Sequence, residues 1–115
     1  VNLHIARGTT LSATNPLLDT FISDAGGFLV EPQSLAFAIY DLSSDAKKNN
    51  PVTVVARTDI DLTADKIHTG HYAAPWTILS NVAPGTYMIE WFCVLTDGAA
   101  EIAWTRTFEI VVSNA

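Results

Sequence analysis

The chain has 115 residues, about one domain, and is long enough for a single core that buries roughly two thirds of the surface the unfolded form exposes. It is 49% hydrophobic and only 16% charged, yet no apolar run approaches the ~18 to 20 residues of a membrane span. Twelve acidic residues against six basic ones give a formal net charge of −6, which disfavours nucleic acid and anionic membranes as partners.

The opening stretch, "VNLHIARGTT", has no charged leader followed by a long apolar block, so it does not read as a signal peptide. With Val1 rather than Met in first place, a processed or trimmed start fits, and the compartment is not set by it. Residues 1–16, "VNLHIARGTTLSATNP", alternate briefly and then turn polar. An edge strand, an arm that orders against another subunit and a disordered end all fit that pattern. An arm would imply assembly, and its removal would then spare folding.

The remainder, residues 17–115, reads as one β domain. "LLDTFISDAGGFLVEP" predicts a strand over about 17–23 and then a tight turn at Asp24-Ala25-Gly26-Gly27, closed by Pro32. "SLAFAIYDL" predicts a strand with Leu35, Phe37 and Ile39 on one side and Ala36, Ala38 and Tyr40 on the other, both faces covered. "SSDAKKNNP" is a polar loop carrying Lys47 and Lys48, "VTVVART" a β-branched strand, and "DIDLTADK" an acidic connection. "KIHTGHYAAPW" predicts a short strand from Ile67 to Ala73, broken by Pro75.

"NVAPG" then turns the chain into a long strand from Thr86 to Leu95, with Tyr87, Ile89, Trp91 and Cys93 on one face. After the "TDGAA" hairpin turn, a last strand over 101–112 sends Ile102, Trp104, Phe108, Ile110 and Val112 one way and Glu101, Thr105, Thr107 and Glu109 the other. Arg106 interrupts the apolar side, as expected of a side chain that snorkels or lies where the strand leaves the core. Six or seven short strands, no helical period and no internal repeat predict an antiparallel β-sandwich.

Few residues suggest chemistry. "HTGH" places His68 and His71 three apart, a chelating spacing on a helix, but on a strand they point to opposite faces, and Gly70 between them suggests a bend or bulge. His4 adds a third imidazole only through tertiary structure. Asp59, Asp61 and Asp65 offer the oxygen ligands a calcium ion prefers, without the glycine and terminal glutamate of a calcium loop. No metal or cofactor is assigned. Cys93, the one cysteine, has no internal disulfide partner and reads as a small buried hydrophobe. Nucleophile elbows, phosphate cradles, H-E-x-x-H and C-x-x-C are missing, and Asp24, Asp41 and Asp97 sit beside turn residues, so no catalytic residue is assigned and a non-enzymatic role is expected. Trp76, next to Pro75, reads as a surface contact or a corner plug.

The tract "APGTYMIEW", the "TDG" turn and the ending "FEIVV" resemble the last hairpin of immunoglobulin-like sandwich domains in bacterial and phage proteins, and "FISDAGGFLVEP" is similar to the opening of such modules. The resemblance covers about residues 17–112. It implies an immunoglobulin-like Greek-key sandwich used for display, spacing or contact, and it brings no catalytic residue. With that resemblance, the small size, the high apolar content and the candidate N-terminal arm point to a bacteriophage virion component, a capsid decoration or head/tail connecting subunit. Such a subunit is homo-oligomeric or lattice-bound and docks on other virion proteins through its arm, its sheet edges and the apolar residues Leu3, Ile5, Leu11 and Trp76. The same ending is also similar to the "GTYTVxWxVxSxDGH" tract of periplasmic copper-resistance β-sandwiches. Here Ala99 follows Asp97-Gly98 where that family has histidine, and the first residue is Val1. That rival reading, a periplasmic or extracellular metal- or ligand-binding sandwich, would use His4, His68, His71 and the acidic loop.

Overall fold

The structure is a computed structural model and describes residues 3–42 and 52–112. The polar loop over 43–51 and the first two residues lie outside the described residues. Within them the chain is all-β, without a helix. It forms β1 (Leu3–Ala6), β2 (Thr10–Leu11), β3 (Asp19–Phe21), β4 (Ser34–Asp41), β5 (Val52–Asp59), β6 (Lys66–His68), β7 (His71–Ala73), β8 (Trp76–Thr77), β9 (Gly85–Val94) and β10 (Ile102–Val111). A five-stranded sheet runs in the order β1-β10-β9-β4-β5, a three-stranded one in the order β3-β7-β6, and β2 pairs with β8. This arrangement is consistent with a β-sandwich.

Two features depart from the expected six or seven antiparallel strands. Several of the strands are pieces of only two or three residues, too short to show a period of two. More tellingly, β1 lies parallel to β10, with Leu3 opposite Phe108 and Ala6 opposite Val111. No tight turn can join parallel neighbours, but here nearly the whole chain separates them.

The long strands behave as their alternation requires. On β9 the buried residues are Tyr87, Ile89, Trp91 and Cys93, each separated by a half-buried one. They meet Leu35, Phe37 and Ile39 of β4, Phe108 and Ile110 of β10 and Ile5 of β1 in a core closed by Leu11, Leu18, Ile22, Tyr72 and Ile78. On β4 the other face is covered too, since Ala36 and Ala38 are also buried.

The segment expected as one strand over Ile67–Ala73 is instead a hairpin, β6 and β7, with His68 and His71 as cross-strand partners. Gly70 makes the turn: its φ of +81° suits glycine, and a Cβ there would lie 2.7 Å from Leu29 Cβ. Its carbonyl accepts a 2.7 Å hydrogen bond from the Ile22 amide, which ties the hairpin to the end of β3. The Asp24–Gly27 turn forms as expected, Asp24 Oδ1 accepting from the Gly26 and Phe28 amides at 2.9 and 3.1 Å.

Candidate interaction edge

Among the described residues, the last strand is only half covered. β9 pairs with β10 from Ile102 to Ile110, but on the other side β1 pairs only with Phe108–Val111. Along Ile102–Thr107 no described residue forms a backbone hydrogen bond to that side. Every second residue of such an edge turns its N–H and C=O outward with no strand to meet them. β3 ends its own sheet in the same way, bonded to β7 alone.

These two open edges lie beside one another. The Trp104 indole N–H donates to Thr20 Oγ1 at 3.2 Å, and Arg106 Nη1 lies 3.9 Å from Asp19 Oδ1. Beyond those contacts the sheets part and leave a groove of about 200 Å³. Phe21, Ile22 and Ser23 line it from β3 and the residues that follow, Cys93 and Leu95 from β9 and its end, and Ile102 and Trp104 from β10. The lining follows from alternation: Ile102 and Trp104 continue the inward face of Phe108 and Ile110, Trp104 partly covered through its contact with Thr20 and Ile102 left open. Ile102 therefore stays 49% exposed, and Phe21, on the outward side of β3, is 61% exposed.

Polar contacts stiffen the rim. His71 Nε2 lies 2.6 Å from Asp19 Oδ2, and the Phe21 ring stacks on the imidazole with centroids 4.0 Å apart. Asp19 thus faces His71 with one oxygen and Arg106 with the other, and the Arg106 side chain remains about half exposed. At the floor, burial pushes the Cys93 thiol up from its ordinary pKa, so it stays a thiol and a poor nucleophile.

The four residues expected to contact a partner are placed elsewhere. Ile5 and Leu11 are core residues, 0% and 1% exposed, and the folded chain does not offer them for docking. The reason is local, since each is the inward residue of a short strand that pairs with a neighbour, β1 on β10 and β2 on β8. Leu3 and Trp76 are half-buried and packed against the core, Trp76 edge-on to Phe108.

The metal candidates are not brought together either. His4 is exposed opposite Glu109, His68 is exposed in its hairpin, and His71 is engaged with Asp19. Asp61 Oδ1 accepts from the Thr63 and Ala64 amides, which hold its carboxyl below the usual range, and Asp65 Oδ2 accepts from the Asp61 amide. Among the described residues, no group of three or more His, Cys, Asp and Glu side chains is placed to hold a metal ion.

The groove itself was not foreseen from the sequence, although two signals point to it: Arg106 breaking an apolar face, and Phe21 on the outward side of a strand whose Leu18 and Ile22 are buried. No family model matches the chain, and neither a curated protein nor a solved structure matches it.

Proposed function

We propose that the chain is a non-enzymatic, immunoglobulin-like interaction module, and that it serves as a structural subunit of a bacteriophage virion. The strand order supports the immunoglobulin-like reading. The order β10-β9-β4-β5 is that of strands G, F, C and C′ in such a fold, the order β3-β7-β6 is compatible with its B, E and D, and β1 runs along β10. Tyr87 adds support: near the start of β9 its hydroxyl donates to the Ala83 carbonyl at 2.6 Å, a bond like the tyrosine corner of such domains. Where antibody domains place a cysteine two residues later, Ile89 fills the core.

The observation that carries the interaction role is the open, apolar edge between β3 and β10. A folded domain that leaves Phe21 and Ile102 half-uncovered beside unpaired strand edges has a surface suited to contact rather than to solvent. The virion setting rests on the sequence resemblance. Repetition on a lattice multiplies weak contacts into avidity, so each docking event need not be tight.

Native mass spectrometry of the purified chain, with and without copper, zinc and calcium, tests the reading. Higher oligomers indifferent to metal are expected. A monomer that takes up one metal ion stoichiometrically overturns it and returns attention to the histidines.

A further inference from the structure

We propose that the stretch of β10 that no described residue covers, Ile102–Thr107, takes an extended strand from a partner protein, one that carries an acidic residue followed at alternate positions by two apolar residues. The inference rests on the interaction-module reading and names what that edge binds.

Three observations set the chemistry of the occupant. First, the unpaired edge offers alternating N–H and C=O groups, which an extended backbone satisfies in series; strand addition of this kind draws affinity from the main chain and specificity from pockets for alternate side chains. Second, the groove holds about 200 Å³, below the ~300–1,000 Å³ of small-molecule sites, so it suits side chains rather than a whole ligand. Its lining by Phe21, Cys93, Leu95, Ile102 and Trp104 makes those side chains apolar. Third, the inward face of the stretch reads Ile102, Trp104, Arg106, two apolar positions and a cation.

Arg106 decides the rest. With one long contact to Asp19 and its side chain about half exposed, it has room for a second carboxylate. In an antiparallel addition, the slightly more stable arrangement, the incoming strand meets Arg106 first and Trp104 and Ile102 after it. The matching sequence is therefore acid-x-apolar-x-apolar. The same arginine disfavours a second copy of this chain as occupant. A two-fold pairing of β10 with itself that uses the stretch in full sets Arg106 opposite Ile102 or Trp104, a charge against an apolar side chain, and inward-pointing charges of this kind keep natural sheet edges apart.

The test is a titration of the isotope-labelled chain with the peptide acetyl-Thr-Glu-Thr-Leu-Thr-Val-Thr-amide, followed by amide and indole NMR shifts and by hydrogen exchange. Saturable shifts confined to residues 102–107, the Trp104 indole and residues 21–23 are expected, with slowed exchange along 102–107. A peptide with lysine in place of glutamate is expected to bind about threefold more weakly, as one partly exposed ion pair allows, and Arg106→Glu to reverse that preference. Ile102→Lys, at an exposed position, abolishes binding, while Val54→Lys on the far edge strand leaves it intact.

Shifts that do not saturate, or that appear on β5, overturn the proposal. So does a concentration-dependent change at 102–107 without peptide, which makes a second copy the occupant. If the chain forms metal-indifferent oligomers while the peptide leaves 102–107 untouched, this proposal falls and the module reading stands. If the peptide binds and the chain is a monomer that takes up one metal ion stoichiometrically, the strand site stands and the virion role falls.

Discussion

Tyr87 and Tyr72 are both buried, yet their hydroxyls are in opposite circumstances. Tyr87 donates to Ala83, whereas the Tyr72 hydroxyl donates to no acceptor and has only the Gly70 backbone near its oxygen. Burial raises the pKa of both, so both stay neutral in the folded chain. Tyr87→Phe is expected to cost about 1 kcal/mol, the usual worth of one intramolecular hydrogen bond, and Tyr72→Phe to be neutral or stabilising by up to about 1 kcal/mol, because it removes a buried hydroxyl whose proton has no acceptor. Urea denaturation of the two variants checks the contrast, and equal losses refute it. Trp91→Ala empties the largest core position and is expected to cost about 3–5 kcal/mol in the same assay. The burial of Trp91 and Cys93 was legible in the sequence because period two on a long strand fixes a face. Trp104 shares that face of its strand and is only half-buried. Alternation says where a side chain points, but not whether anything lies over it.

At the scale of elements, the short strands carry most of what the sequence did not disclose. The hairpin of β6 and β7 turns on Gly70, which looked like a bend within one strand because each arm has only three residues. Its environment shows why no other residue fits: besides the Leu29 contact, a Cβ would lie 2.9 Å from both the Ile22 carbonyl oxygen and the Val30 amide nitrogen. Gly70→Ala is expected to destabilise by on the order of 1–3 kcal/mol, from left-handed strain and displaced backbone together. Thermal unfolding measures it, and a neutral result would show that the turn can adopt another geometry. The N-terminal segment is the second case. As an arm it could be removed without loss of fold, but it places Ile5 and Leu11 in the core and β1 along β10. Deletion of residues 1–15 is therefore expected to abolish cooperative unfolding seen by circular dichroism, and a folded truncation would refute the role given to β1. A four-residue strand whose partner lies about a hundred positions away leaves little trace in local pattern.

Over the whole molecule, the excess of acid matters most at low pH. Backbone amides hold Asp61, and Arg57 holds Glu101, below their ordinary carboxyl pKa values. Both groups bind protons less readily folded than unfolded. Their stabilisation is complete above the ordinary carboxyl range, near pH 4, and is lost as pH falls from there through the lower folded values. Asp61→Asn and Glu101→Gln are each expected to flatten the decline in melting temperature between about pH 5 and pH 2.5. An unchanged acid limb in both variants would assign that decline to other carboxylates. The all-β class was legible because the absence of a helical period is a property of the entire chain, while sheet order and the open edge depend on which distant strands meet.

One consequence of that order concerns force. Because β1 and β10 run parallel, the N-terminal end of β1 at Leu3 and the C-terminal end of β10 at Val111 lie at opposite ends of a shared ladder. Tension that draws the two chain ends apart slides these strands along one another and strains the rungs together, whereas an antiparallel pair would peel open one rung at a time. Pulling along the axis of β1 and β10 thus meets more resistance than it would if the same two strands paired antiparallel.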